Sequence, residues 1–101
     1  MIESGPLRYG AMIVRISDAE TLGQLVRAAR LSQRLTRDEV ARGTSLSPSF
    51  ITDVEAGKPT TQLGKVLHLL RELGVLLSAE AYDIEPWIEN LTAIKKRRVR
   101  K

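Results

Sequence analysis

Cysteine is absent from this chain of 101 residues, which excludes a disulfide framework and a thiolate-held metal. Histidine occurs once, as His68, with no other histidine or cysteine near it, so it reads as an ordinary helix residue rather than a ligand. Aromatic residues number only four, which leaves the core to aliphatic side chains. No apolar run approaches the roughly 18 residues that a membrane span requires, and the N-terminus has no signal-peptide pattern. A soluble, cytoplasmic protein with no membrane partner is therefore expected. There is also no Ser/His/Asp set, metal cluster or phosphate loop, so neither an enzyme nor a cofactor is expected. Gly57, Gly64 and Gly74 fall at helix ends or inside a helix, and Gly64 is expected to allow close packing.

What is present fits one domain with a single modest core. Apolar residues make up 43 % of the chain, and the formal net charge is +4. That charge is unevenly placed. Of sixteen basic residues, six (Lys95, Lys96, Arg97, Arg98, Arg100 and Lys101) close the chain, leaving ten against twelve acidic residues before them. A terminal block of like charge acts either as an interaction arm, for which phosphate is the natural partner, or as a solubilising tail.

The most informative stretch runs from Thr36 to Gly57, T-R-D-E-V-A-R-G-T-S-L-S-P-S-F-I-T-D-V-E-A-G. Thr36 and Glu39 have the spacing of a capping box, and Gly43 is expected to stop that helix. Ser47 reads as a second N-cap with Pro48 at the first helical position, where a missing N–H costs nothing. Val40, Ala41, Ile51 and Val54 supply small apolar faces. Helix, short turn and helix in about twenty residues is a helix-turn-helix unit, whose second helix is shaped for a DNA major groove.

Around this unit the chain divides into residues 1–16, 17–78, 79–94 and 95–101. Residues 1–10 show no periodicity and read as a flexible lead-in, followed by a short β-rich run, Met12–Ile16. Ser17 and Glu20 suggest a capping box for a first helix whose Leu22, Leu25, Val26 and Ala29 form an apolar stripe. Arg27, Arg30 and Arg34 form a basic stripe beside the helix-turn-helix unit. A fourth helix, capped by Thr60 or Thr61, is expected to bury Leu63, Val66, Leu67, Leu70 and Leu73 and to end at Gly74. Leu69 falls off that stripe and suits a dimer contact, as do Val75, Leu76 and Leu77, a strand too short to stand alone. After Glu85-Pro86, the residues Ile84, Trp87, Ile88, Leu91 and Ile94 follow helical spacing. This stripe could close over its own core or dock on a partner.

Residues from about Leu22 to Leu77 resemble the lambda-repressor-like, XRE-type helix-turn-helix domain. The segment G-K-P-T-T-Q-L-G-K-V-L-H-L-L-R-E-L-G-V, Gly57 to Val75, is similar to HipB-like antitoxins in particular. The resemblance implies a mainly α bundle of four or five helices with short strands at a dimer interface. It also implies a homodimeric repressor that binds an inverted repeat in operator DNA and pairs with a HipA-type serine/threonine kinase toxin. By family position, Arg37 stands where a glutamine usually meets a phosphate, and Pro48, Ser49 and Asp53 stand at common base-reading positions. Pro48 cannot hydrogen-bond a base edge, so reading falls to Ser49, Thr52, Asp53 and Phe50, the last of which could equally belong to the core. Ser47, Arg34, Lys58, Thr60 and Thr61 are the further DNA candidates, and Ile84, Trp87, Ile88 and Leu91 the toxin-side candidates. Two other readings stay open: a repressor without a toxin, and an interaction protein that kept the fold but binds little DNA.

Overall fold

In the computed structural model, which describes residues 12–91, the apolar stripes are carried by α1 (Ala19–Ser32), α2 (Arg37–Thr44), α3 (Pro48–Glu55) and α4 (Leu63–Glu72). A further helix, α5, occupies 85–91 up to the limit of the described residues. The lead-in at 1–10, Ile94 and the basic tail at 95–101 lie outside them.

Each start is set by a local donor account. The carboxylate of Asp18 accepts the Thr21 N–H at 2.7 Å, and bonds from Thr21 hold this carboxyl below its usual range. Asp18, rather than the expected Ser17, caps α1, because a carboxylate adds attraction to the positive helix end. At α2 the Thr36 Oγ1 accepts from the Glu39 N–H at 3.1 Å while Glu39 accepts from the Thr36 N–H at 2.8 Å, the expected box. The α3 start is also as expected, with Ser47 Oγ accepting the Phe50 N–H at 3.0 Å and Pro48 following it. The α4 start differs: Gln62 is the N-cap, without a side-chain bond, and the two threonines lie in the preceding turn.

Three helices end by one device. At α4 the Val75 N–H reaches the Leu70 carbonyl (2.9 Å) and the Gly74 N–H that of Arg71, with Gly74 left-handed. This is a Schellman motif. The same pair of bonds closes α3 around Gly57 and α1 around Arg34. Arg34 therefore holds φ +58° without being glycine. Arg34→Gly should raise stability by about 0.5–1 kcal/mol, the left-handed penalty less the extra unfolded-state entropy of glycine; the midpoint of urea unfolding measures it. Gly43 does not stop α2, which continues to Thr44 and ends at left-handed Ser45. The Thr44 hydroxyl donates to the Val40 carbonyl at 2.7 Å, so the last turn holds without a glycine.

The core consists of Val26, Val40, Ala41, Ile51, Val54, Val66, Leu69, Leu70 and Leu73, with Leu22, Ala29, Leu35, Leu46, Phe50 and Val75 packed around it. This corrects the reading of α4. Leu69 is 0 % exposed, whereas Leu63 and Leu67 face solvent. Apolar residues cover too wide an arc of α4 for spacing alone to set its rotation. Neighbouring contacts set it instead: Gln33 Nε2 donates to the Leu73 carbonyl (2.9 Å), and His68 Nε2 meets the Thr44 carbonyl (2.9 Å). Leu69 is thus a core residue and no dimer contact.

The expected strands are not formed among the described residues: neither 12–16 nor 75–77 enters a ladder. Val75 serves instead as the apolar residue after the Schellman turn, half-buried on the core, while Leu76 is 96 % exposed. A run of three residues has no hydrogen-bonding partner within one chain, and a strand cannot form without one. Gly64 has open space around it, so it does not serve close packing; among the described residues Gly23, between α1 and α3, and Gly57, against Glu20, do. Ile84, Trp87 (71 % exposed), Ile88 and Leu91 face solvent, so the stripe on α5 does not close over the core.

Candidate nucleic-acid interface

The α2–turn–α3 unit is anchored from beneath. Ile51 and Val54 bury the inner face of α3, and the turn between α2 and α3 is tied by the Leu46 N–H donating to Thr44 Oγ1 at 3.3 Å. This leaves Ser47, Pro48, Ser49 and Thr52 on the exposed side of α3, with Asp53 half-exposed beside them. Ser47 spends an oxygen lone pair on the cap, so its O–H can still donate outward. Pro48 has no donor. Phe50 is half-buried and packs on the core, with Lys65 Nζ 5.9 Å from its ring centroid, so it forms a wall of the unit more than a probe.

Three charges around this face, Asp53, Lys58 and Arg37, are already paired. Lys58 Nζ lies 3.6 Å from the Asp53 carboxylate, which offsets the repulsion that a lone aspartate would offer a phosphate. Thr60 is exposed, and Thr61 Oγ1 sits 3.5 Å from the Lys58 carbonyl in the same turn. Arg34 is exposed at the end of α1. Arg37, at the first position of α2, is 40 % exposed and donates through Nε and Nη2 to Glu55 Oε1 at 3.1 and 3.0 Å.

Sequence reading missed Glu55 and the role of Arg30. Arg30 is buried on α1 and grips Glu55 by both edges of the carboxylate, Nε to Oε2 at 2.6 Å and Nη2 to Oε1 at 3.0 Å. Its third nitrogen donates to the Leu35 carbonyl at 2.9 Å. Burial would push the Glu55 carboxyl up, but the hydrogen bonds and charges of Arg30 and Arg37 outweigh it and hold the group below its usual range. Bonding to Glu55 likewise raises the Arg30 pKa. A signal was available. Arg30 follows Val26 by four residues and Glu55 follows Ile51 by four, so each charge stands in register with a buried apolar stripe. One opposite charge at such a register on each of two helices marks a buried pair.

No helix among the described residues is long and apolar enough to cross a membrane. Residues 21–81 match the family described as the helix-turn-helix domain. Over 63 residues the chain is 48 % identical to the uncharacterized HTH-type transcriptional regulator y4mF of Sinorhizobium fredii, covering 62 % of this chain and 83 % of that protein. In three dimensions it is similar to a chain of a HipB–O4 20mer complex, with a TM-score of 0.64 at 17 % identity, over 70 % of this chain and 100 % of that one. A chain of a HipA–HipB–O2–O3 complex gives the same TM-score, identity and coverage. At such identity the likeness is one of fold.

Proposed function

This chain belongs to the helix-turn-helix family of DNA-binding transcriptional regulators, and from that premise we propose that it is a dimeric, HipB-like repressor of its own operon. In this reading α3 enters the major groove of each half-site of an inverted repeat. Ser49, Thr52 and Asp53 face base edges, while Arg34, Arg37, Ser47, Lys58, Thr60 and Thr61 meet the backbone. The basic tail at 95–101 adds phosphate contacts.

One observation carries the reading: α3 is locked to the core by Ile51 and Val54 while its capped start presents Ser47, Ser49 and Thr52 to solvent. The test is a binding titration at physiological salt, comparing a duplex from upstream of this protein's gene with a scrambled duplex. Tighter binding upstream is expected, and substitutions at Ser49 and Thr52 should change the preferred sequence. Equal binding of the two duplexes would overturn the repressor reading.

The partner in this proposal is a HipA-type serine/threonine kinase. Its support is the resemblance of Gly57–Val75 to HipB-like antitoxins, together with the uncovered stripe on α5. Tryptophan at the centre of an interface commonly contributes about 2 kcal/mol or more. Trp87→Ala should leave the melting temperature unchanged and abolish co-purification of a HipA-like kinase. A far lower melting temperature with the kinase retained would sink the partner role. Dimerisation, in the same reading, uses the segment around Leu76 and Leu77, which the core leaves exposed.

A further inference from the structure

Glu55 meets two guanidinium groups, and they are not equivalent. Arg30, with a side chain 8 % exposed, takes the carboxylate with two bonds and spends its remaining nitrogen on a carbonyl. It neutralises Glu55 by itself. Arg37 is then the surplus positive charge of the cluster, and it is the exposed member. A guanidinium has two edges that can each make a paired bond. Arg37 gives its Nε–Nη2 edge to Glu55, which leaves one N–H of Nη1 and one of Nη2 along the other edge. That edge matches two oxygens of a phosphate. At the N-terminus of α2 the Thr36–Glu39 box takes the N–H groups of Thr36 and Glu39.

We propose that Glu55 is a positioning residue for DNA binding: it holds Arg37 by one edge so that the other is preset as a clamp for one backbone phosphate. The inference rests on the DNA-binding reading and adds to it a residue that touches no DNA. A free arginine loses side-chain entropy on meeting a phosphate; here the buried carboxylate has imposed the geometry beforehand. Arg30 supplies the neutralisation that lets Glu55 do this without cancelling the clamp's charge.

The sign of one substitution separates this from simple electrostatics. Removing a negative charge near a DNA-facing surface should strengthen binding if Glu55 acts only through its charge. If Glu55 aims Arg37, Glu55→Gln should weaken binding of the upstream duplex, by about tenfold for one lost charge-assisted contact. The same change in an Arg37→Ala background should then have no further effect. Arg37→Ala itself should lower the log–log salt slope by about 0.9. Equal weakening by Glu55→Gln in both backgrounds, or tighter binding, would overturn the proposal.

Because Glu55 also holds Arg30, Arg37→Lys provides a second test that leaves the buried pair intact. Lysine keeps the charge and loses the two-edged fork, so the salt slope should hold while affinity falls about tenfold with little change in melting temperature. Native-like affinity for Arg37→Lys would overturn the clamp. A native chain that binds neither the upstream nor the scrambled duplex would instead remove the DNA-binding reading itself, with every variant indistinguishable from it.

Discussion

Replacing Gly23 by alanine is expected to abolish most of the stability of this fold. A Cβ built at Gly23 would lie 2.3 Å from the Val54 carbonyl oxygen and 2.8 Å from that of Glu55. Both are backbone atoms of α3, so no rotamer change relieves the clash; α1 must lift away from α3. That pair forms the most extensive interhelical contact among the described residues. Overpacking costs about 1–3 kcal/mol where side chains can shift, and more where they cannot. Against a total of roughly 5–10 kcal/mol for a domain of this size, such a loss leaves the fold marginal. Alanine is the better helix former by about 1 kcal/mol, which works in the opposite direction. Gly64→Ala gives that term without a clash, since nothing lies within 4 Å of its added Cβ; as the second residue of α4 it should stabilise by about 0.5 kcal/mol, at the low end of the Gly-to-Ala range. Urea unfolding of the two variants should therefore give shifts of opposite sign. A native-like midpoint for Gly23→Ala would mean that the helices do not approach so closely.

The second large effect is expected from Arg30→Met. It leaves a Glu55 carboxylate whose side chain is 2 % exposed with only the half-exposed Arg37 for compensation. Breaking a buried pair from one side costs about 3–5 kcal/mol, because the remaining charge is left desolvated. The penalty should depend on pH in a defined direction. Glu55 has a folded-state pKa below its ordinary value. Its ionisation therefore contributes stability that is present above the unfolded value of about 4.3 and is lost as pH falls through the lower, folded value. In Arg30→Met, burial is less opposed and the carboxyl titrates higher. The difference between native and variant should be largest at about pH 6–7 and shrink as pH drops below about 4. Urea midpoints across that range measure it, and a difference independent of pH would show that lost packing of the arginine stem, not the charge, is responsible. Replacing both partners, as Arg30→Met with Glu55→Leu, should recover much of the loss, since an apolar pair carries no stranded charge.

The helix boundaries differ from these two sites in how far they could be read from residues alone. The capping box at Thr36 and Glu39, the Ser47-Pro48 start and the Gly74 stop involve groups within five residues of each other, and there the local chemistry has one satisfactory answer. Hence the helix-turn-helix unit was legible before any packing was known. The stop of α2 was not: Gly43 has the right residue type, but Thr44 can bond back to Val40 and Ser45 can take the left-handed turn. The dimer role expected for Leu69 failed for a different reason. A helix with leucine or valine at 63, 66, 67, 69, 70 and 73 has several rotations that bury an apolar stripe, and only its neighbours choose among them.

By itself, the sequence determined the mainly α class, the order of the helices and the polar outer surface of α3, because capping, helical periodicity and proline or glycine placement act over one or two turns; it also offered two short strands that the chain does not form. Tertiary structure decided which face of α4 is buried, which glycine lets two helices meet, and which charges are paired. Glu55 stands 25 residues from Arg30 and 18 from Arg37 along the chain; register marks Arg30 and Glu55 as buried, but nothing local fixes how the three meet. Their meeting depends on how closely α1 approaches α3, a distance set by the missing side chain of Gly23. Electrostatic pairing through space follows the packing of the helices, and that packing is the sum of many contacts of which each residue sees only its own.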